Sequence, residues 1–201
     1  MRLASTALAA ALVLGALPAA ASDWEIDSSH TTAQFAVRHM MVSTVRGEFT
    51  KIAGTVKLDD KDVTKSVVDV TIDATSISTR DAKRDEHLRS PEFFDTSKFA
   101  QVKFKSTKIE KAGAGLKITG DLTMRGVTKP VTINATALAA PMKNPWGMTV
   151  SGISGTAKIN RKDWGLSWNK ALEAGGGVLV GEEVELTIDA ELVQKAAAPA
   201  K

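Results

Sequence analysis

Strict alternation of apolar and polar residues runs through several separate segments of this chain. Val131, Ile133 and Ala135 alternate with Thr132 and Asn134, and the same pattern recurs in segments 33–38, 68–74, 116–124 and 184–192. A period of two places successive side chains on opposite faces of a β-strand, so that one face is buried and the other meets water. The pattern therefore predicts half-buried β-strands along most of the chain.

Less regular segments at 45–58, 102–108 and 146–159 bring the predicted strands to eight. Short turn sequences separate them, among them Arg125-Gly126 and Asn144-Pro145, and such short connections favour antiparallel neighbours. Long alternating strands in an open sheet would leave unpaired edges, which closure removes. We therefore predict an all-β fold, an eight-stranded antiparallel barrel with one or two short helices at the rim.

Two segments supply the predicted helices. Ser78–Ser90 reads STRDAKRDEHLRS, with Asp85 four residues before Arg89, a spacing that supports a helix through charge pairing. Met40–Thr44, between the first two predicted strands, is the second candidate. The thin apolar content of the longer segment predicts a helix on the surface near the barrel rim.

The first 21 residues have the pattern of a secretory signal. Arg2 precedes the apolar run LASTALAAALVLGAL, and Ala19-Ala20-Ala21 matches the small-residue rule for cleavage. We predict a signal peptide at 1–21, a barrel domain at 22–193, and a disordered low-complexity tail at 194–201. Export to the periplasm is the expected localisation.

Composition excludes several classes of protein. The chain has no cysteine, which rules out disulfides, thiolate metal sites and a cysteine nucleophile. Its formal net charge of +3 is mild and mixed in sign, and it does not indicate a nucleic-acid partner. No Gly-x-Ser-x-Gly motif and no phosphate-binding loop occur, so the sequence does not predict an enzyme, and no cofactor is expected.

An adjacent pair, Phe93-Phe94, lies in what the sequence predicts to be a loop after the helix. Loop phenylalanines need an apolar surface to cover, and the mouth of a hollow barrel would offer one. Pro91 would set the direction of the loop. The pair is consistent either with a lid over a cavity or with a plug that seals a packed core.

The predicted barrel interior is also open to two interpretations. An eight-stranded barrel is just wide enough to be packed solid or to hold one small apolar ligand. The inward residues of segment 131–139 are Val, Ile, Ala, Ala and Ala, and Gly120, Gly152 and Gly155 add further small positions. Such residues fill space poorly, so we expect a hollow barrel.

Four separated motifs, HTTAQFAVRHMMVSTVRGEF, DEHLRSPEFFDTSKFAQVKFKST, GDLTMRGVTKPVTI and INRKDWGL, resemble the YceI-like family of bacterial periplasmic proteins. The resemblance covers nearly all of residues 23–193. It implies a lipocalin-like barrel with an apolar tunnel for a polyisoprenoid or a fatty-acid-type lipid, often in a dimer. Trp164 and Trp168 are candidates for an exposed dimer contact.

The inward apolar positions and the Phe93-Phe94 loop are the candidate ligand contacts. The set comprises Phe35, Val37, His39, Phe49, Val70, Ile72, Leu88, Phe93, Phe94, Phe104, Ile118, Leu122, Ile133 and Ala135.

Polar groups near the rim are the candidates for contact with a ligand head group, namely Arg84, His87 and Arg89. An arginine fork suits a diphosphate, although a solvated helix face explains the same charges. Of the three histidines, His30 and His39 lie nine positions apart along one strand and would fall on opposite faces. We therefore expect no metal site, and we expect His39 to meet the hydroxyl of Ser43 or Thr44.

We predict a periplasmic carrier that sequesters a long-chain apolar ligand, such as a polyisoprenoid, an isoprenoid quinone or a fatty-acid-type lipid. Its partner would be that lipid, with transient membrane contact and a homodimer as further expectations. Two alternatives stay open: an enzyme that acts on an isoprenoid or quinone held in the tunnel, and a ligand-free envelope stress protein.

Overall fold

The computed structural model describes residues 21–172 and 177–196. The predicted signal peptide up to residue 20 lies outside the described residues, as does the end of the predicted tail from residue 197. Within the described residues the chain forms twelve strands: β1 Ala21–Ile26, β2 Thr32–His39, β3 Ser43–Phe49, β4 Ile52–Asp59, β5 Val67–Asp73, β6 Ile77–Ser78, β7 Gln101–Ala112, β8 Gly115–Met124, β9 Val127–Ala135, β10 Met142–Lys143, β11 Thr149–Asn160 and β12 Val180–Gln194.

These strands form a closed eight-stranded antiparallel barrel, as the alternation predicts. The strands β1 and β2 follow one bent path, because both pair with the same edge of β12. The strands β3 and β4 form a second bent path beside it. The strands β5, β7, β8, β9 and β11 continue the ring, each paired with its predecessor in this series.

The longest strand, β12, closes the ring. One edge of β12 pairs with β11 over the register Val150↔Val193 to Asn160↔Glu183. Its other edge pairs with β2 and then with β1, ending at Trp24↔Gln194. The backbone N–H of Lys195 also donates to the Asp23 carbonyl, so the ordered strand extends beyond the predicted domain end at Val193.

The strand β1 was absent from the eight predicted segments. It is anchored by Trp24, which is 2% exposed and packs with Val56 and Leu192 in a cluster at one end of the barrel. We call this end of the barrel the Trp24 end. The indole Nε1–H of Trp24 donates to the Ser22 hydroxyl, 2.8 Å away, so the buried ring keeps its polar atom satisfied.

A tight corner joins β1 to β2. The Asp27 carboxylate accepts from the Ser29 N–H at 2.8 Å and contacts Nδ1 of His30 at 2.8 Å. The backbone N–H of Asp27 donates to the Glu191 carbonyl on β12, and the Glu191 N–H donates to the Thr31 hydroxyl. These contacts hold the bend against β12, so that both halves of the bent path can share one partner strand.

Tight hairpin turns connect β2 to β3 and β8 to β9. Arg125 and Gly126 both have positive φ (51° and 75°) in the predicted β8–β9 turn, a geometry that matches the strand twist. The turn between β2 and β3 also has a left-handed backbone, with φ of 49° at Met40 and 62° at Met41. The helix predicted for Met40–Thr44 is therefore wrong, because these residues form a hairpin turn and the start of β3.

A single α-helix, α1 (Ala82–Arg89), is present among the described residues, along with short 3₁₀ turns at Val63–Lys65, Ala74–Ser76 and Arg161–Trp164. The helix α1 begins after Asp81, whose carboxylate accepts from the Arg84 N–H, an N-cap that satisfies one of the free amides of the first turn. The helix covers the end of the barrel opposite Trp24, which we call the helix end. No helix in the described ranges is long and apolar enough to cross a membrane.

The Asp27–His30 pair yields a prediction on pH. Its hydrogen bond lowers the pKa of the Asp27 carboxyl and raises the pKa of His30 above its ordinary value. The stabilisation from a raised histidine pKa is fully present below the pKa of the unfolded state and is lost as pH rises through the pKa of the folded state. The stabilisation from the lowered Asp27 pKa is present above the pKa of the unfolded state and is lost as pH falls through the pKa of the folded state. The pair should therefore stabilise the corner most between about pH 4 and pH 6.5.

An NMR titration of the His30 ring checks this prediction. The midpoint should lie above about 6.5, the ordinary histidine pKa, and Asp27→Asn should lower it. Asp23→Asn, an exposed change on the preceding strand β1, serves as the matched control and should leave the midpoint in place. A His30 midpoint at or below the ordinary value in the unmodified protein would contradict the assignment.

Candidate functional site

The barrel encloses an elongated apolar cavity of about 290 Å³. Its lining extends from Leu58 and Leu192 at the Trp24 end to Phe93 and Leu166 at the helix end. The regular part of β12 alone lines the cavity from Val184 to Leu192, which corresponds to about 26 Å of strand at 3.3 Å per residue. The interior is therefore a long, narrow space that could hold an extended chain.

The side chains that line the void differ in how deeply they are buried. Inward residues of β7 and β8, such as Phe104 and Ile118, are buried. Inward residues of β12, such as Leu186 and Ile188, are half-buried although they point into the closed barrel. Their accessible surface is therefore explained by the cavity itself.

Small residues contribute less to this void than the sequence suggests. The space beside Gly120 holds the Phe104 ring, whose Cζ would lie 2.5 Å from a Cβ at that position. Ala137 and Ala139, expected to face inward, are exposed, because β9 ends at Ala135. Leu138 takes their place in the lining.

The predicted ligand contacts converge on this cavity, with the exception of His39. Contact of these residues with a ligand stays a prediction, but their common location is now established. Those in the lining are Phe35, Val37, Phe49, Val70, Ile72, Leu88, Phe93, Phe94, Phe104, Ile118, Leu122, Ile133 and Ala135.

His39 lies at the end of β2, opposite Ser43 and Val180 in the strand register. It is half-buried and does not belong to the cavity lining. The Thr44 hydroxyl, one of its two expected partners, accepts instead from a guanidinium N–H of Arg38 at 3.1 Å. The position of His39 therefore supports a role in the hairpin rather than in the cavity.

The Phe93-Phe94 pair forms the end wall of the cavity. Phe93 is 6% exposed, and its ring lies 5.0 Å from His87 and 5.3 Å from Trp168. The Phe94 ring packs edge-on against Phe49 at 5.6 Å. Because the barrel behind them is hollow, the two rings close a cavity and do not seal a packed core. Whether the loop opens as a lid stays a prediction.

Backbone hydrogen bonds hold this loop to the helix. The N–H groups of Phe93 and Phe94 donate to the carbonyls of Ser90 and Leu88. Arg125, in the β8–β9 turn, donates to the carbonyls of Pro91 and Gly165 at 2.8 and 2.7 Å. Arg125 therefore ties together three segments that cap the helix end.

The candidate head-group residues contact their own chain. Arg84 donates to the hydroxyl and the carbonyl of Thr79 at 2.7 and 2.9 Å. Arg89 donates to the carbonyls of Thr75 and Ile77 at 2.8 and 3.0 Å. None of the three head-group candidates is in the cavity lining. The arginine contacts fasten α1 to the segment before it.

His87, the third head-group candidate, contacts the Glu92 carboxylate through Nε2 at 2.5 Å. Its ring also packs edge-on against Phe93 and Trp168. These contacts support the end wall of the cavity from outside.

A different arginine contributes its apolar stem to the cavity wall, while its guanidinium donates to the backbone carbonyls of Gly181, Leu166 and Val180. Arg161, which is 4% exposed, is the one charged residue in the described lining. Burial lowers the pKa of its guanidinium from the ordinary value, and the charge of Glu182 acts in the opposite direction. The alternation along β11 predicts that Arg161 faces inward, because it continues the inward series Ala157 and Ile159.

The aromatic residues proposed as a dimer contact are not exposed. Trp164 is 2% exposed, and its indole N–H donates to the Leu122 carbonyl at 3.0 Å. Trp168 is half-buried against His87 and Phe93. The exposed tryptophan is Trp146, at 78% of its surface, in the turn between β10 and β11.

Within the described residues, Asp27, His30 and Glu191 bring three potential metal-ligating atoms within 4.8 Å of one another. They lie at the β1–β2 corner, outside the cavity lining. The hydrogen bond between Asp27 and His30 and its proximity to Glu191 explain their arrangement as an ion-paired corner.

Fold and cavity together define the class of protein: a closed, antiparallel eight-stranded barrel with a hollow apolar interior, wide enough to hold one small ligand. The model of the YceI-like domain matches residues 24–192. Protein YceI of Escherichia coli is 38% identical over 188 residues, which cover 92% of this chain and 94% of that protein. The chain belongs to the YceI-like family.

Solved structures share the same fold. BcnA of Burkholderia cenocepacia superposes with a TM-score of 0.70 at 22% identity, over 83% of this chain and 98% of that one. A polyisoprenoid binding domain from Saccharophagus degradans superposes with a TM-score of 0.60 at 13% identity, over 86% of this chain and 98% of that one. At these identities the two structures support the barrel fold.

The buried Asp85 provides a test of how the helix end is held together. Its carboxylate accepts from both the N–H and the hydroxyl of Thr79, at 2.8 and 2.5 Å. Asp85→Asn replaces a charged acceptor by a neutral one and should lower the free energy of unfolding by about 1–2 kcal/mol.

Urea unfolding measures this change. Glu86→Gln, on the exposed face of the same helix, is the control and should stay within about 0.5 kcal/mol of the unmodified protein. Equal stability of the Asp85→Asn variant and the control would show that the Asp85–Thr79 contacts do not hold the helix.

Proposed function

We propose that this protein is an exported carrier whose barrel cavity sequesters one long-chain apolar molecule. The ligand classes we consider are a polyisoprenoid, an isoprenoid quinone and a fatty-acid-type lipid. The observation that carries the proposal is the elongated cavity with its almost entirely apolar lining. Membership of the YceI-like family supports it, as does the likeness to a structure named as a polyisoprenoid binding domain.

Partition of the chain out of water would drive binding. Burial of apolar surface yields about 0.8 kcal/mol per CH₂ group, and a long chain would contact the lining along the whole barrel. Part of that free energy offsets the ordering of the ligand. A ligand with many methylene or isoprene carbons could thus bind tightly without any specific polar contact.

The lining favours binding over catalysis. General acid–base chemistry needs titratable groups placed at the reacting atoms, whereas the described lining is apolar apart from a few hydroxyl and amide groups and Arg161. The serines of the SGISG segment lie on strand β11 and have structural partners: Ser151 donates to the Ala139 carbonyl and Ser154 to the Asp189 carboxylate. We therefore propose a carrier and not an enzyme.

Two partner hypotheses remain predictions. Transient contact with a membrane would allow loading, and the exposed side chains of Met40, Met41 and Val42 at the helix end offer an apolar surface for it. A homodimer is the second hypothesis, and sedimentation at several protein concentrations would test it.

Export to the periplasm is also proposed, on the signal pattern of residues 2–21. The protein purified from the periplasmic fraction should have the mass of a chain that begins at Ser22. A mass that includes the first 21 residues, or recovery only from the cytoplasm, would contradict export.

A cavity-filling variant tests the carrier proposal. Ala135→Phe places a phenyl ring on an inward position of β9, where it would occupy space that a ligand needs. Binding of a long-chain lipid should weaken about tenfold or more, because ring and ligand would compete for the same volume. Isothermal titration of the delipidated protein measures the change.

Asn134→Phe is the matched control, since it adds the same ring to the outer face of the same strand. It should bind lipid like the unmodified protein, and thermal unfolding of both variants verifies that they fold. Equal lipid affinity of the two variants would place the ligand outside the cavity.

A further inference from the structure

The strands β9 and β11 meet along the most weakly paired seam of the barrel. Their register consists of two residue pairs and ends at Thr156↔Asn134. Every other seam of the ring has five or more pairs when the bent paths β1–β2 and β3–β4 each count as one strand. Towards the helix end, no register pair within the described ranges joins Ala157–Asn160 to β9. The ladder therefore covers only part of this wall.

The sequence of β9 matches this break in the ladder. The Thr136 N–H, directly after β9, donates to the Ser154 carbonyl of β11, and the N–H groups of alternate residues along a strand point to the same edge. The N–H of residue 130 would therefore face β11, but this residue is a proline and has none. Proline is confined to unpaired edges of sheets because it removes a ladder bond. Pro130 thus keeps the ladder from continuing towards the helix end.

The cavity lies directly behind the unpaired part of the seam. On β9 the inward side chains of Val131 and Ile133 line it, and on β11 the inward side chain of Ile159 does so. In a fully paired barrel, hydrogen bonds between neighbouring strands close the wall on which such side chains stand. Here the wall in front of the cavity is closed without them.

The segment after β11 bridges the gap through side-chain hydrogen bonds. We call residues 161–166 the strap. Within it, Trp164 is 2% exposed, and its indole N–H donates to the Leu122 carbonyl on β8, beyond β9. The Gly165 carbonyl accepts from Arg125 in the β8–β9 turn at 2.7 Å. The strap thus links the end of β11 to the β8–β9 hairpin.

This part of the seam is the easiest part of the barrel wall to open. Parting two fully paired strands breaks a ladder of hydrogen bonds, whereas parting β9 from β11 beyond Thr156 breaks no ladder bond. Local openings of native proteins occur in such weakly bonded segments. The Phe93-Phe94 end wall, the other candidate route into the cavity, is held by backbone hydrogen bonds to Leu88 and Ser90.

We propose that β9 and β11 part at the helix end to admit the ligand sideways, through the barrel wall, and that the strap covers this entry. The inference rests on the proposed function, because it concerns the route into the same cavity. The apolar chain would pass between side chains such as Val131 and Ile159. The strap would close over the chain once it is inside.

A static seam makes a different prediction. If the strap only seals the wall, joining the two strands leaves ligand exchange unchanged. If the seam is the entry, joining the strands slows uptake and release together, because the barrier rises while the cavity itself stays the same. The two rates therefore separate a route of entry from a structural closure.

The experiment joins the two strands across the gap. Thr132→Cys and Lys158→Cys place a cysteine pair on the outer face, at the next outward positions after the last register pair, in a chain that has no cysteine of its own. Oxidation closes a disulfide, and where thiol titration finds free cysteines a bismaleimidoethane bridge replaces it. The probe is cis-parinaric acid, a fluorescent long-chain fatty acid, mixed with the delipidated protein in a stopped-flow instrument.

The joined protein should take up and release the probe at least about tenfold more slowly than the same variant with free thiols. Its dissociation constant should stay within about twofold, because both rates fall together. Lys158→Cys with Glu185→Cys is the matched control, since these exposed residues are partners in the β11–β12 ladder. Joining that pair should leave both rates unchanged.

Trp164→Phe tests the strap from the opposite direction. It keeps an aromatic ring but removes the N–H that donates to the Leu122 carbonyl. Uptake and release should both become about fivefold faster, the factor expected for one neutral hydrogen bond. A loss of stability alone would not raise the two rates by the same factor. Thermal unfolding verifies that the variant is folded.

The possible failures are distinguishable. A joined β9–β11 pair that exchanges the probe as fast as the control would overturn lateral entry and leave the carrier proposal intact. Unchanged rates in a folded Trp164→Phe variant would overturn the role of the strap. No uptake of the probe by the unmodified protein would overturn the carrier proposal together with the inference.

Discussion

The pairing of both edges of β12 is the constraint on which the rest of the structure depends. One edge bonds to β11 along its length, and the other bonds to β2 and β1 across the Asp27–His30 corner. This arrangement turns a meander of strands into a ring without free long edges. It also gives every strand an inner face shielded from water, which is why apolar side chains can surround a space instead of filling it.

The cavity lowers the stability of the folded protein when it is empty. By the dependence of stability on cavity volume, a void of about 290 Å³ corresponds to a loss on the order of several kcal/mol relative to a filled core. Inward side chains of β7 and β8 are buried, whereas those of β12 are only half-buried beside the void, so part of the lining lacks contacts on its inner side. An apolar occupant would restore those dispersion contacts and would stabilise the folded barrel by mass action. Ligand binding in the cavity and the stability of the folded barrel therefore depend on the same volume.

Much of the fold could be predicted from the sequence because period two is a direct consequence of strand geometry. Five of the eight paths of the barrel and most of the lining follow from that period, whereas the Arg125-Gly126 turn follows from the residues that turns prefer. The Met40–Thr44 hairpin could not be predicted, because Met40 and Met41 adopt a left-handed backbone that glycine or asparagine usually occupies. The sequence predicts that Phe93 covers one end of the barrel, but it does not predict the position of the end wall, because that position depends on contacts with α1.

The charged residues show the limit of such reasoning more clearly. Arg84 and Arg89 have the right residue type and lie near the rim, but their donors go to Thr79, Thr75 and Ile77. A sequence shows which groups can donate, whereas the tertiary fold determines the acceptor. Arg161 shows the converse: its inward register was present in the alternation of β11, but its burial depends on carbonyls that β12 and the 3₁₀ turn bring to it.

The most direct test of the central claim is native mass spectrometry of the protein purified from the cell envelope, followed by extraction into organic solvent. The account predicts one added mass per chain, which is released by the solvent and identified as a prenyl or long acyl lipid. A protein that carries no added mass, and that takes up neither prenyl nor acyl lipids when they are offered, would contradict it.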